Sequence, residues 1–186
     1  SEKTSFILTK YFENKKNNYI YSQVTLNDYN YGFSDKFSYT GAVNLYETKA
    51  QFKNCRFIRI DSEDALNIIS SQFLIEDSIF EENSSDSIDI DFGEGIIKNS
   101  KFTSVDNDAI DLSGSKVYLE NLYFLDVDDK LISSGENTKA NIKKIEGKNS
   151  YVGIASKDGS ETIAEDINFI NVKIPFASYQ KKNKLQ

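Results

Sequence analysis

Ser87-Ile88-Asp89-Ile90-Asp91-Phe92 and, 22 residues later, Ala109-Ile110-Asp111-Leu112-Ser113-Gly114 are two copies of one pattern. Apolar and polar residues alternate in each, with β-branched side chains at the apolar positions, and this reads as a short strand. The pattern extends in both directions. Upstream lie Leu66-Asn67-Ile68 and Val43; downstream lie Ile132, Ile154 and Phe176. The spacing along this column is 23 once and then 22 throughout. Between the strands stand turn formers such as Asn83-Ser84-Ser85, Gly93-Glu94-Gly95 and Ser113-Gly114-Ser115.

A second apolar column is made of Phe57, Phe80, Phe102 and Phe124. Asn54, Asp77, Asn99 and Asn121 each stand three residues before one of these rings. Asp166 and Phe169 resume the pattern after a slip near Ile145 and Glu146. A repeat of this length, built of short strands and turns, cannot bury its apolar face alone and stacks on its neighbours. The fold class is therefore all-β: a single-stranded right-handed parallel β-helix (β-solenoid) of about 22 residues per coil. Coils stack about 4.8 Å apart, so like residues lie above like residues.

The β-helix is placed over residues 42–182. Residues 1–41 form an N-terminal cap, with 19–41 an irregular first coil, and 183–186 form a polar C-terminal tail. Seven of the eleven tyrosines precede residue 47. Tyr19, Tyr21, Tyr29 and Tyr31 pack as a cap or stack on sugar rings. Thr4 to Phe12 is the one stretch with a helical pattern.

The formal charge of −7 hides an uneven distribution. Asp61 to Asp129 holds 18 acidic residues and three lysines, and the two ends are basic. Such a band repels phosphates, which argues against nucleic-acid binding. No apolar run reaches the roughly 20 residues of a membrane span. With no His and the single Cys55, disulfide frameworks and His- or Cys-based metal sites are excluded. Cys55 stands two residues before Phe57, on the inward side, as a small core residue.

Chemistry points to the outward half of the ladder. Strand alternation turns Asn44, Asn67, Asp89, Asp111, Ser133, Ala155 and Ala177 outward. Asp64, Asp86 and Asp108 form a parallel column at the strand entrances, and Asp91 lies beside Asp89. Stacked carboxylates repel, and a shared proton, a hard cation or full solvation offsets this. Three uses follow. The face binds a ligand through Asp64, Asn67, Asp86 and Asp91. It holds Ca²⁺ through Asp86, Asp89, Asp108 and Asp111, since Ca²⁺ takes oxygen ligands; no other cofactor is called for. Or Asp89, Asp108 and Asp111 act as catalytic carboxylates on a polysaccharide. Against catalysis, the two arginines, Arg56 and Arg59, lie on the coil before the acidic band. Lys130 and Lys157 read as solvated surface lysines.

The coil pattern resembles the pectin-lyase-like right-handed β-helix superfamily. Ser87 to Phe92, Asn107 to Ser115, Ile154 to Asp158 and Ala177 to Lys182 are similar to β-helix segments of bacterial surface and secreted proteins, some of which accompany CotH-type kinase domains. The resemblance implies an exported protein, extracellular or at the cell surface, with polysaccharide or a cell-envelope protein as partner. It covers enzymes, binding domains and scaffolds alike. Polygalacturonase-like members pair aspartates on neighbouring coils, as Asp108 and Asp111 superficially do, but they add a His motif that this chain lacks. The leading expectation is a non-catalytic domain that binds carbohydrate or a protein partner, or serves as a rigid scaffold. The alternatives are a polysaccharide-active lyase, hydrolase or epimerase, and a Ca²⁺-stabilised scaffold.

Overall fold

A computed structural model describes residues 23–27 and 40–181. The expectations for the first 22 residues, for Tyr29 and Tyr31, and for the tail at 183–186 lie outside those residues. Within them the chain is a parallel β-solenoid of about six turns and about 22 residues per turn.

β1 (Gln23–Asn27) runs antiparallel to Lys49–Lys53 and precedes the coil series. The first coil is β2 (Gly41–Tyr46), β3 (Lys49–Lys53) and β4 (Arg56–Ile58). The second is β5 (Asp64–Ile69), β6 (Gln72–Glu76) and β7 (Ile79–Asn83). The third is β8 (Asp86–Asp91), β9 (Glu94–Lys98) and β10 (Lys101–Val105). After β11 (Ile110–Ser113) only one corner per coil still interrupts the strands. β12 (Lys116–Gly135), β13 (Lys139–Lys157) and β14 (Glu161–Tyr179) each run through three sides of the solenoid.

Pairing resolves into three parallel ladders. One joins β2, β5, β8, β11 and the end of β12; another joins β3, β6, β9 and the start of β12; the third joins β4, β7, β10 and the middle of β12. Leu66, Ile88 and Ile110 face Val43, Leu66 and Ile88 in register, as the 22-residue column requires.

Three corners close each coil, and each corner is a residue in the left-handed region. One corner column is Asn54, Asp77, Asn99, Asn121, Lys144 and Asp166, with φ from 51° to 56°. Asn and Asp tolerate this conformation best among residues with a side chain. That preference explains why an Asn or Asp sits three residues before each Phe. Just past the corners, backbone N–H groups tilt out of the ladders and are met by hydroxyls of the next coil. Gly93 N–H donates to Ser115 Oγ (2.9 Å), and Ser115 N–H donates to Thr138 Oγ1 (3.1 Å). Cys55 N–H donates to Ser78 Oγ (3.2 Å), and Ser78 N–H to Ser100 Oγ (3.1 Å). Cys55 thus heads a serine column, fully buried, as its inward position predicts.

The phenylalanine column is a stack of parallel rings. Centroids are 4.6 Å apart for Phe57 and Phe80, 4.9 Å for Phe80 and Phe102, and 5.0 Å for Phe102 and Phe124. Gly147 occupies the next place, and Phe169 the one after. A Cβ on Gly147 would stand 2.3 Å from Leu131 Cδ1 and 3.0 Å from the Phe169 ring, so those two side chains fill the space. The slip has a local cause. Ser113 pairs with Gly135, but Lys116 pairs with Lys139, so one extra residue enters at the Glu136–Asn137 corner. It is removed again between Val127 and Lys130, where the register shifts back.

Phe102 is fully buried between two rings. Phe102→Ala is expected to lose about 3–5 kcal/mol of unfolding free energy in a urea titration. A loss under about 1 kcal/mol would show that the coils do not depend on this stack.

Candidate functional site

The sheet made of β5, β8, β11 and the end of β12 presents three outward columns. The middle one is Asn67, Asp89, Asp111 and Ser133, in direct register. The entrance column starts with Asp64 paired to Asp86 and continues through Asp108 to Lys130. The exit column is Ile69, Asp91, Ser113 and Gly135. Inward neighbours Ile88, Ile90, Ile110 and Leu112 are fully buried, so the alternation read from sequence holds.

The wall is far less solvated than a plain outward face. Asp64, Asn67, Asp108 and Ser133 are all buried. So is Lys157, which corrects its reading as a surface lysine: it is 3% exposed. Gly135 has no side chain, so the Lys157 stem lies against it, with Cε 3.4 Å from where a Cβ would be. Its ammonium then reaches Asp111 Oδ1 at 3.7 Å, two coils away. Lys130 is corrected likewise. Its side chain is 13% exposed, and its Nζ bonds Asp108 Oδ1 at 3.1 Å and Asp129.

The entrance aspartates are tied to the backbone. Asp86 Oδ1 accepts the Asp108 N–H at 2.9 Å, and Asp108 Oδ1 accepts the Lys130 N–H at 3.1 Å. Each carboxylate therefore secures the start of the next strand. Asn67 Nδ2 faces three acceptors with two hydrogens: Thr40 Oγ1 at 2.8 Å, Asp64 Oδ2 at 3.1 Å and Asp89 Oδ2 at 3.4 Å. Asn67 Oδ1 and Ser133 Oγ are buried without a hydrogen-bond partner.

This crowding moves protons onto the wall. Burial, then repulsion from Asp91 and Asp64, raises the Asp89 carboxyl to about 8. Burial and Asp108 raise Asp86 to about 7. Asp108 rises to about 6, because burial outweighs the attraction of Lys130. Burial and Glu136 also raise Asp91. At neutral pH Asp89 is largely a neutral acid and can donate a hydrogen bond. Of the three remedies for stacked carboxylates, protonation is the one this geometry favours. Among the described residues no three His, Cys, Asp or Glu side chains converge on a point that would hold a metal.

The proposed catalytic residues are thus brought onto one wall but not into one constellation. Asp89 and Asp111 are adjacent in register, while Asp108 is engaged by Lys130. The proposed ligand-binding residues Asp64, Asn67, Asp86 and Asp91 share the wall, with Asp64 and Asn67 beneath its surface.

One residue escaped the sequence reading. Phe92, next to Asp91 at the exit corner, is 64% exposed. It holds a left-handed backbone at φ 55°. That conformation is uncommon for a bulky residue and costs of order 1–3 kcal/mol. Its ring lies over Gly114, where a Cβ would be 2.6 Å from Phe92 Cδ1. The signal was present: an aromatic inside the turn Asp91-Phe92-Gly93, with a glycine 22 residues on.

Searched against protein-family models and curated proteins, the chain matches neither a family nor an individual protein. No helix among the described residues is long and apolar enough to cross a membrane.

The raised carboxyls fix the sign of the pH dependence. Between about pH 4 and about pH 8 the folded wall binds more protons than the unfolded chain, so stability falls as pH rises through that window. Thermal melts are expected to show a higher Tm near pH 5 than near pH 8.5. Asp89→Asn, which carries no charge at either pH, is expected to flatten that slope and raise Tm at the alkaline end. An unchanged slope would mean that Asp89 is ionised throughout.

Proposed function

We propose that the chain is a non-catalytic, exported β-helical domain that binds carbohydrate along its acidic wall, with Phe92 as the stacking platform. The observation that carries this reading is Phe92 itself: a large aromatic, 64% exposed, held in a strained backbone beside the wall's polar columns. An aromatic face suits the C–H face of a sugar ring. Asp89, Asp91, Asp111 and Ser113 beside it offer donors and acceptors for hydroxyl groups. The surrounding negative charge selects a neutral glycan over a polyuronate. Proton sharing along the wall, rather than Ca²⁺, supplies its stability.

Two further points support binding over turnover. Asp108 is bonded to the Lys130 backbone and ammonium, which leaves it no role as a free acid or base. Among the described residues the corners are short, and none of them builds a cleft around the wall. The resemblance to pectin-lyase-like β-helices of bacterial surface proteins, some beside CotH-type kinase domains, agrees with an extracellular or cell-surface location. A rigid scaffold for a cell-envelope protein is the reading left if no glycan binds.

The test is calorimetric titration with neutral and uronate-containing oligosaccharides, using wild type and Phe92→Gly. Glycine relaxes the left-handed corner, so Tm is expected to hold or rise while affinity for the neutral glycan drops at least about tenfold. Binding that survives Phe92→Gly overturns the platform. Polysaccharide turnover that Asp111→Asn abolishes, with the fold intact, replaces the reading with an enzyme. A rise in Tm with millimolar Ca²⁺ restores the cation-stabilised scaffold.

A further inference from the structure

A different face of the solenoid carries an ordered charge pattern. The sheet of β3, β6, β9 and the first part of β12, β13 and β14 also shows three outward columns. One flank reads Lys53, Glu76, Lys98, Glu120, Lys143 and Glu165, in register from coil to coil. Its charge alternates without exception. The other flank reads Lys49, Gln72, Glu94, Lys116, Lys139 and Glu161. Between them runs Gln51, Leu74, Ile96, Tyr118, Asn141 and Ile163, in which Ile96 is 39% and Ile163 52% exposed. The opening at Gly95 forms part of a shallow groove of about 580 Å³ over Leu74, Ile96 and Tyr118.

Within one chain, alternation places opposite charges on adjacent coils. Glu76 bonds Lys53 at 3.0 Å and Lys98 at 3.2 Å. That need does not explain the second flank, where Lys116 and Lys139 are adjacent and alike. Both flanks share another property: each is complementary to its own reversal. Two copies placed face to face and antiparallel bring the first coil of one against the last coil of the other. Lys53 then meets Glu165, Glu76 meets Lys143, and Lys98 meets Glu120. On the second flank Lys49 meets Glu161, Gln72 meets Lys139, and Glu94 meets Lys116. In the middle Ile96 meets Tyr118 across the axis, Leu74 meets Asn141 and Ile163 meets Gln51, so the apolar contact is concentrated at the axis. No like charges meet. A parallel face-to-face pair would oppose Lys49 to Lys53, Lys139 to Lys143 and Glu161 to Glu165.

We propose that this face is a self-complementary docking surface for a second copy of the chain. The two copies are antiparallel about a two-fold axis between β9 and the Lys116–Glu120 stretch of β12. Such an interface is isologous, as closed dimers require. Five residues by six strands give a footprint of about 16 by 29 Å. That is about 450 Å² per copy and about 900 Å² in all, below the roughly 1,200 Å² of a stable interface and in the range of weak, transient ones. The dimer is accordingly weak and salt-sensitive.

Sedimentation equilibrium tests it. The intact chain is expected to self-associate at tens of micromolar in about 0.05 M salt, with affinity falling at least about tenfold in about 0.5 M salt. Glu120→Lys opposes it to Lys98 of the second copy at two symmetric points and is expected to leave a monomer. Lys98→Glu combined with Glu120→Lys restores both contacts between copies, although it places like charges on adjacent coils within each chain. Association within about threefold of wild type is expected. Where Glu120→Lys unfolds the chain, Glu165→Lys applies the same test against Lys53 of the second copy. A wild type that stays monomeric at millimolar concentration in low salt overturns the proposal. So does a dimer that tolerates both single reversals, or one that the double reversal fails to rescue.

Discussion

Every residue of this solenoid lies one interstrand spacing, about 4.8 Å, above and below its counterparts in the neighbouring coils. This constraint shapes the rest of the molecule. For apolar groups it is an advantage: four phenylalanines stack within 5.0 Å of one another, and the Leu and Ile columns bury completely. For charged groups it is a penalty, since like charges repel at this distance. The chain meets that penalty differently on each side. On the acidic wall, protons are retained by Asp86 and Asp89, and lysines from later coils reach back. On the face of β3, β6 and β9, the sign alternates along one flank. At the corners, amides replace charges: Asn121 donates to Asn99 at 2.8 Å, and Asn171 to Asn149 at 2.9 Å.

The corners carry a second constraint. Three left-handed residues per coil, most of them not glycine, are an energetic burden that a single turn could not sustain. Asn and Asp reduce it by intrinsic preference. Hydroxyls of Ser71, Ser78, Ser100, Ser115 and Thr138 offset it by accepting the N–H groups displaced at two of the corners. The hydroxyl always belongs to the following coil, so each coil completes the hydrogen bonding of the one before it.

The inward half of this arrangement was legible in the sequence because burial repeats without change. Val43, Leu66, Ile88 and Ile110 announce both the period and the sheet. The slip near Ile145 was visible, but its origin at Glu136–Asn137 was not. An extra residue at a corner changes register only further along, where the pattern is read. The candidate wall was legible as a set of residues but not as an environment. Nothing local to Lys157 says that it will lie across Gly135 and approach Asp111. That contact depends on a missing side chain one coil earlier. Phe92 was hidden for a related reason: a lone aromatic in a turn reads as core until the glycine beneath it, Gly114, is recognised as its seat.

The outer surface is therefore where this fold is free to differ from coil to coil, and where function must be sought. The core and corners are bound by stacking to repeat, and a change in one coil is felt by its neighbours. Outward columns answer to weaker rules, and they vary: Asn67, Asp89, Asp111, Ser133 and Ala155 share one column yet differ in charge, size and hydrogen-bonding capacity. Stability alone would favour Asn over Asp89 and Gly over Phe92, since each substitution removes a cost without disturbing the core. Both costs fall within one coil of the wall, three residues apart. A half-buried carboxyl held protonated at Asp89 and an exposed aromatic at Phe92 thus stand side by side on one face, and their proximity is what supports the proposed carbohydrate site.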